Sequence, residues 1–504
     1  MSDRDHPSAT SSNSTSTNDA GAPHTIMTKE EQDQSPSSQI DPESLEKKDS
    51  TTISQEKDVT TQEIHVPEGG RQGWMTVAAV FFFNCATWAA NSAYAAYLAH
   101  YLQYDTFKGA SKLDYSAIGG IAFGCGLFLS PLFKLLIRAT SVRKTIFLGG
   151  VCQFVGIMLA AFSTKLWEIY LTQGVLIGFG LAAVTMPAMT IIPQWFRKKR
   201  SLAVAIAATG SGIGGVIFNL GIQAIIKNIS LRWALIIQAI MCATCVTLGL
   251  CLLRTRYDEI KTSARVWDSS MLRHKIFWMF GLYIALTMLG YVVLMYNLAD
   301  FTISLGYSAH QGSIVSCMIS VGIVFGRPIV GRLSDRFGTV TTSIFAHMIV
   351  GILCLAMWIP ARNLATAIAF ALLQGGMMGS IWVVLAPMAT RLVGLRKLEV
   401  ALCMMWIGIG AFGIVSPVIG IELRSSPKPG VTTDPTIYKY ASVWCGCVYL
   451  GSAIVLWLIR AYLITRDREA EKQSSHEDND ELSIPVGWDQ LVSNLFSVSK
   501  TRKV

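Results

Sequence analysis

Long apolar runs separated by short polar breaks dominate this chain. They fall at about 74–98 (α1), 114–137 (α2), 142–162 (α3), 166–193 (α4), 200–225 (α5) and 232–253 (α6). A second set follows at about 276–301 (α7), 311–333 (α8), 341–360 (α9), 364–390 (α10), 397–421 (α11) and 441–463 (α12). About 20 apolar residues cross the hydrocarbon core of a bilayer as a helix, and a helix satisfies its own backbone hydrogen bonds there. The pattern therefore predicts an all-α membrane protein with twelve transmembrane helices, both ends on one side and the lipid bilayer as its surroundings.

The polar stretches divide the chain. Residues 1–70, dense in Ser, Thr, Gln, Asp and Glu, read as a disordered tail without the apolar core of a signal peptide. A first six-helix bundle spans 71–253, a polar and basic linker 254–275, a second bundle 276–463, and a C-terminal tail 464–504. Only 15% of residues are charged, against about a quarter in soluble proteins. The tails hold 22 of the 33 acidic residues, leaving 31 Lys and Arg against 11 Asp and Glu in 71–463. That basic excess sits in short loops, as membrane orientation requires, so nucleic acid is not an expected partner. Placing the N-terminus in the cytosol puts 19 Lys and Arg on the inner side against nine outside, so the positive-inside rule selects cytosolic termini. The plasma membrane is the expected location, with the vacuolar membrane as the alternative.

The two halves repeat at an offset of about 200 residues. Gln173, Gly174, Gly178 and Pro187 in α4 are echoed by Gln374, Gly375, Gly379 and Pro387 in α10. Pro131 matches Pro328, and Gly210, Gly212 and Gly214 of α5 match Gly408, Gly410 and Gly413 of α11. Small residues in register imply a duplicated bundle and close helix packing. The eleven cysteines are scattered singly. Cys242 and Cys245 have C-x-x-C spacing without nearby His or a second pair, so no metal or cofactor is expected.

Between α8 and α9 lies Gly331-Arg-Leu-Ser-Asp335-Arg336-Phe-Gly338, which resembles the G-x-x-x-D-[RK]-x-G loop motif of the major facilitator superfamily. The resemblance implies that fold, with pseudo-twofold 6+6 halves, and gives Gly331, Asp335, Arg336 and Gly338 the role of a conformational latch. The first-half counterpart, Lys134 to Arg143, lacks the acidic residue and the last glycine, so any latch there is of another kind. Two further segments are similar to signatures of the monocarboxylate porter family. Pro67-Glu68-Gly69-Gly70-Arg-Gln-Gly73-Trp74 resembles D-G-G-x-G-W with Glu for Asp and one extra residue. Trp195-Phe196-Arg-Lys-Lys199-Arg200-Ser-Leu202-Ala203, with Ala207, Gly210 and Gly214 after it, resembles that family's helix 5 signature.

Arg327 is the most informative residue, because a guanidinium inside a membrane costs on the order of 3 kcal/mol and is retained chiefly for function. It lies eight residues before Asp335, about 12 Å along a helix. In the resembled family an Arg-Pro pair of helix 8 binds the substrate carboxylate, and Arg327-Pro328 matches it. The chain also departs from the family. Proton-coupled lactate carriers have Asp where this chain has Ile323, and a helix 1 Lys where it has Asn91 and Ser92. Asp300, at the outer end of α7, is the remaining proton-coupling candidate. Helices 1, 4, 7 and 10 line the cavity in this superfamily, so Asn91, Tyr94, Tyr296, Asn297, Gln374 and Trp382 join Arg327 as substrate-binding candidates, with Asn84 behind them. His347 in α9 reads as structural.

The expected function is secondary transport of a small organic solute, a monocarboxylate or related anion, with or without protons, by alternating access. Riboflavin uptake and export of an organic acid or secondary metabolite are alternatives that the resemblance leaves open, and a transporter-like nutrient receptor is a third. An enzyme is not expected, for no H-E-x-x-H, paired intramembrane aspartates or Ser/His site is present.

Overall fold

The computed structural model describes residues 68–104, 107, 109–256, 267–425, 434, 436–472, 488–495 and 497. Residues 1–67 of the tail expected over 1–70, the middle of the linker and most of the C-terminal tail lie outside the described residues; Gly70 already starts the first helix. All described secondary structure is helical. The spans are α1 Gly70–Leu98, α2 Leu113–Phe128 continued by Ser130–Ala139, α3 Val142–Ala160, α4 Leu166–Gln194, α5 Arg200–Asn228 and α6 Leu231–Leu252. In the second half they are α7 Lys275–Ser304, α8 Ala309–Phe337, α9 Thr339–Trp358, α10 Leu364–Leu395, α11 Lys397–Glu422 and α12 Lys439–Lys472. A short α13, Trp488–Ser493, follows. Eleven helices are long and apolar enough to cross a bilayer, and the α2 pair, bent by 50°, makes twelve. We call the side where α1 and α7 begin the terminal side.

Local chemistry starts several helices. Ser111 and Asp114 form a capping box on α2, and Ser308 and Gln311 form one on α8. Ser141, Ser230 and Asn363 cap α3, α6 and α10 through their side-chain oxygens. Each cap satisfies an amide that the first turn leaves without a carbonyl. Pro131 sits in the first turn after the α2 bend, where its missing N–H costs nothing.

The repeated small residues work as contact points. Gly174 of α4 packs on Ile121 of α2, and Gly375 of α10 meets the Ile319 carbonyl of α8 so closely that an added Cβ would lie 2.2 Å from it. Gly210 and Gly214 let α5 press on Phe81 and Cys85 of α1. Large apolar side chains such as Phe147, Phe325 and Phe345 point outward and are exposed, as in a protein whose solvent is lipid rather than water.

Candidate functional site

An open cavity, with about 1040 Å³ of empty space once its solvent mouth is included, lies between the two halves. Its walls follow helical periodicity. Asn84, Trp88 and Asn91 come from α1, and Val204, Ala208, Ser211 and Asn219 from α5. Tyr291, Met295 and Tyr296 come from α7, Ser316, Ser320, Ile323 and Arg327 from α8, and Met378 and Trp382 from α10. Among the described lining residues, Arg327 alone carries a charge. The residue is 4% exposed. Nη1 donates to the Ala208 carbonyl at 2.6 Å and to Ser211 Oγ at 2.5 Å, both on α5. Nε has no acceptor among the described residues.

Four of the seven substrate-binding candidates, Arg327, Asn91, Tyr296 and Trp382, meet at this cavity. The other three point elsewhere. The Tyr94 hydroxyl donates to the Tyr115 carbonyl at 2.7 Å, with its ring against Gly119 of α2. Asn297 donates to the Val293 carbonyl beside Gly420 of α11. Gln374 turns to Cys354 of α9. Each sits on a cavity-lining helix but off the stripe that faces the cavity, so its side chain turns into its own bundle, where the Gln374 Oε1 has no hydrogen-bond partner among the described residues. Asp300 is also elsewhere. It accepts from the Tyr438 hydroxyl at 2.5 Å and pairs with Arg424 at 2.9 Å, bracing the ends of α7 and α11. Burial, and then Asp300 itself, pushes the Tyr438 phenol above its ordinary range, so it remains the donor. His347 is buried between Tyr283 and Tyr449 and bonds Ser343 and Thr287.

Trp88, Tyr291, Ser211, Ser316 and Ser320 escaped the sequence reading. Counting back from Arg327 by helical turns gives Ile323, Ser320 and Ser316, and Trp88 is one turn before Asn91, so the period held the signal.

The halves are fastened together on the terminal side of the cavity. The Asp335 carboxylate accepts the backbone N–H groups of Ser201 and Leu202 at 2.9 Å each, at the start of α5. There the helix dipole and unsatisfied amides favour an anion. Gly331 makes the approach possible, since a Cβ there would lie 2.5 Å from that of Ala205. Gly338 takes a left-handed φ of 101° to end α8. Arg336 is exposed and rests on the Phe337 ring. Across the pseudo-twofold axis, α2 meets α11 through different chemistry. Ser130 Oγ donates to the Cys403 carbonyl at 2.8 Å, and Lys134 pairs with Glu399 at 3.6 Å, both side chains about nine-tenths buried.

The two signature segments touch each other. Gly69 N–H donates to the Trp195 carbonyl at 2.8 Å, and Glu68 accepts Lys198 N–H at 2.5 Å. The Phe196 ring lies under Gly69 and edge-on to Trp74. Trp195 Nε1 and Thr76 Oγ1 both donate to the Arg254 carbonyl. One knot thus ties the start of α1, the α4–α5 turn and the end of α6, next to the α5 amides that Asp335 holds.

The Major Facilitator Superfamily profile matches residues 76–308 and again 280–501. The probable transporter MCH2 of Saccharomyces cerevisiae is 46% identical over 442 residues, covering 87% of this chain and 92% of that protein. Monocarboxylate transporter 12 of Homo sapiens is 25% identical over 455 residues, 82% and 85% of the two chains. The agnestins efflux protein AgnL12 of Paecilomyces divaricatus is 24% identical over 366 residues, 72% and 82%. With an all-helical fold of up to twelve spans, the chain is a multi-pass membrane transporter of small solutes that belongs to the major facilitator superfamily and is monocarboxylate-porter-like within it.

Proposed function

We propose that this transporter carries a small organic anion, a monocarboxylate or a relative of one, by alternating access, with Arg327 as the group that recognises the carboxylate. The observation that supports this most is the isolation of the charge. Arg327 is buried among neutral lining residues, with no carboxylate among the described residues of the cavity wall. A buried charge left to neutral partners is costly by several kcal/mol, and an anion in the cavity would offset that through charge-assisted hydrogen bonds. Asn91, Tyr296 and Trp382 would hold the remainder of the solute. Because Ile323 stands beside Arg327 and Asp300 is committed to Arg424 and Tyr438, no described acid on the cavity wall can carry a proton with the substrate. The terminal side faces the cytosol on this reading, by the positive-inside bias of the loops, in the plasma membrane or, as the alternative, the vacuolar membrane.

Counterflow of a labelled monocarboxylate in proteoliposomes tests the reading. Purified protein should exchange it against unlabelled internal substrate, and Arg327→Ala should abolish exchange while the protein keeps its melting temperature within a few degrees. Undiminished exchange in Arg327→Ala would reject Arg327 as the anion site. A protein that binds solute without exchanging it would be a receptor.

A further inference from the structure

The wall beside Arg327 is aromatic, and its rings come from both halves of the molecule. Trp88 of α1 lies 4.9 Å from Trp382 of α10 by ring centroid, across the interface between the bundles. Phe123 flanks Trp88 at 5.4 Å, and Tyr291 meets Trp382 edge-on at 6.0 Å. Tyr291 and Arg327 line the same cavity, so the cation and the ring wall face one space. Trp88 is held in place. It belongs to a π-helical turn, Cys85–Ala89, of the kind that frees backbone carbonyls and recurs at functional sites. Gln153 of α3 donates to the Ala86 carbonyl at 2.6 Å, and Gln238 of α6 donates to that of Ala90 at 3.0 Å. The bulge is therefore fixed from behind by side chains that do not reach the central cavity.

These rings are the bulkiest apolar groups that line the cavity, and apolar and aromatic walls with a few placed polar groups are how organic ligands are held. A three-carbon acid held at Arg327 has no flat apolar body to set against these rings. We infer that the transported anion has a flat, aromatic or conjugated body, with its carboxylate at Arg327 and its ring against Trp88, Trp382 and Tyr291. This rests on the reading of Arg327 as the anion site. An aromatic contact adds a factor of about 3–10 in affinity beyond burial of area. Contact with rings of both bundles would also make the bound solute sense their closure.

The test compares two series of probes as competitors of counterflow by the full-length protein. One holds lactate, pyruvate and 4-methyl-2-oxopentanoate; the other holds phenylpyruvate, cinnamate and indole-3-lactate. The aryl acids should compete at least tenfold better than the alkyl acids. Trp88→Leu and Trp382→Leu should each weaken the aryl acids several-fold more than the alkyl acid of similar size, and Trp382→Phe should recover most of the loss. Equal competition by the two series, or equal losses for both in the leucine variants, would overturn the inference. Should Arg327→Gln still abolish binding of both series in that case, the anion reading stands without the aromatic one. Neutral aryl amides competing as well as their acids would remove the anion reading and this inference together.

Discussion

Replacing Asp335 by Asn leaves the size of the side chain almost unchanged and removes its charge. In the structure both carboxylate oxygens are used, one on Ser201 N–H and one on Leu202 N–H. The amide oxygen can serve one of these donors, and its NH2 group faces the other. The closed terminal side thus loses one hydrogen bond to a charged acceptor, worth about 1.5–3 kcal/mol, and part of the interaction with the α5 dipole, about 0.3–1 kcal/mol. When the bundles part, water takes over all these groups, so the loss falls on the closed state alone. A net 2–3 kcal/mol shifts the closed-to-open ratio by about 30- to 150-fold. The assay is the rate at which a membrane-impermeant thiol reagent, added from the terminal side, labels a cysteine introduced as Val204→Cys in a background whose native cysteines are replaced. Val204 lines the cavity three residues from Ser201. The rate should rise by at least tenfold with Asp335→Asn. A change below twofold, with the helical signal and melting temperature intact, would refute the idea that Asp335 holds the halves together.

The other half of the interface should answer to charge. Glu399→Gln alone leaves the Lys134 ammonium facing a neutral group in a nearly dry crevice, and Lys134→Met with Glu399→Gln should restore most of the closed population. A double-mutant cycle on the same labelling rate should give a coupling on the order of 1–3 kcal/mol, and additive effects would show that the pair does not fasten α2 to α11. At the signature knot, Gly69 combines a φ of 86° with Phe196 so near that a Cβ would lie 2.5 Å from the ring. Gly69→Ala should therefore cost about 1–3 kcal/mol, seen as a lower melting temperature in detergent, while Gly70→Ala, with open space around its Cβ position, should cost less.

The apolar runs held most of the fold, because in lipid the span length is set by hydrocarbon thickness and little else competes with it. The misjudged ends have local causes. The prediction stopped α12 at 463 where charges begin, but Arg466 and Asp467 are buried, and Asp467 pairs with Arg391 at 2.8 Å, so the helix continues to Lys472. The bend in α2 was not read, although Pro131 marks it. At the site, Arg327 stood out because charge in an apolar run has no ordinary explanation. Tyr94, Asn297 and Gln374 stood out equally as polar residues on cavity-lining helices, yet which face of a helix meets the cavity depends on its rotation against its neighbours. The Lys134–Glu399 pair joins positions 265 residues apart, and nothing local in either segment announces the other.

Alternating access requires the α2–α11 seam to open during transport. Ser130 and Cys403 meet there, so Ser130→Cys beside native Cys403, with the other cysteines replaced, can be bridged by a short bifunctional thiol reagent. Complete cross-linking should stop counterflow in proteoliposomes, and cleavage of the bridge by reductant should restore it. Counterflow that continues at its original rate through a fully cross-linked seam would contradict alternating access between these two bundles.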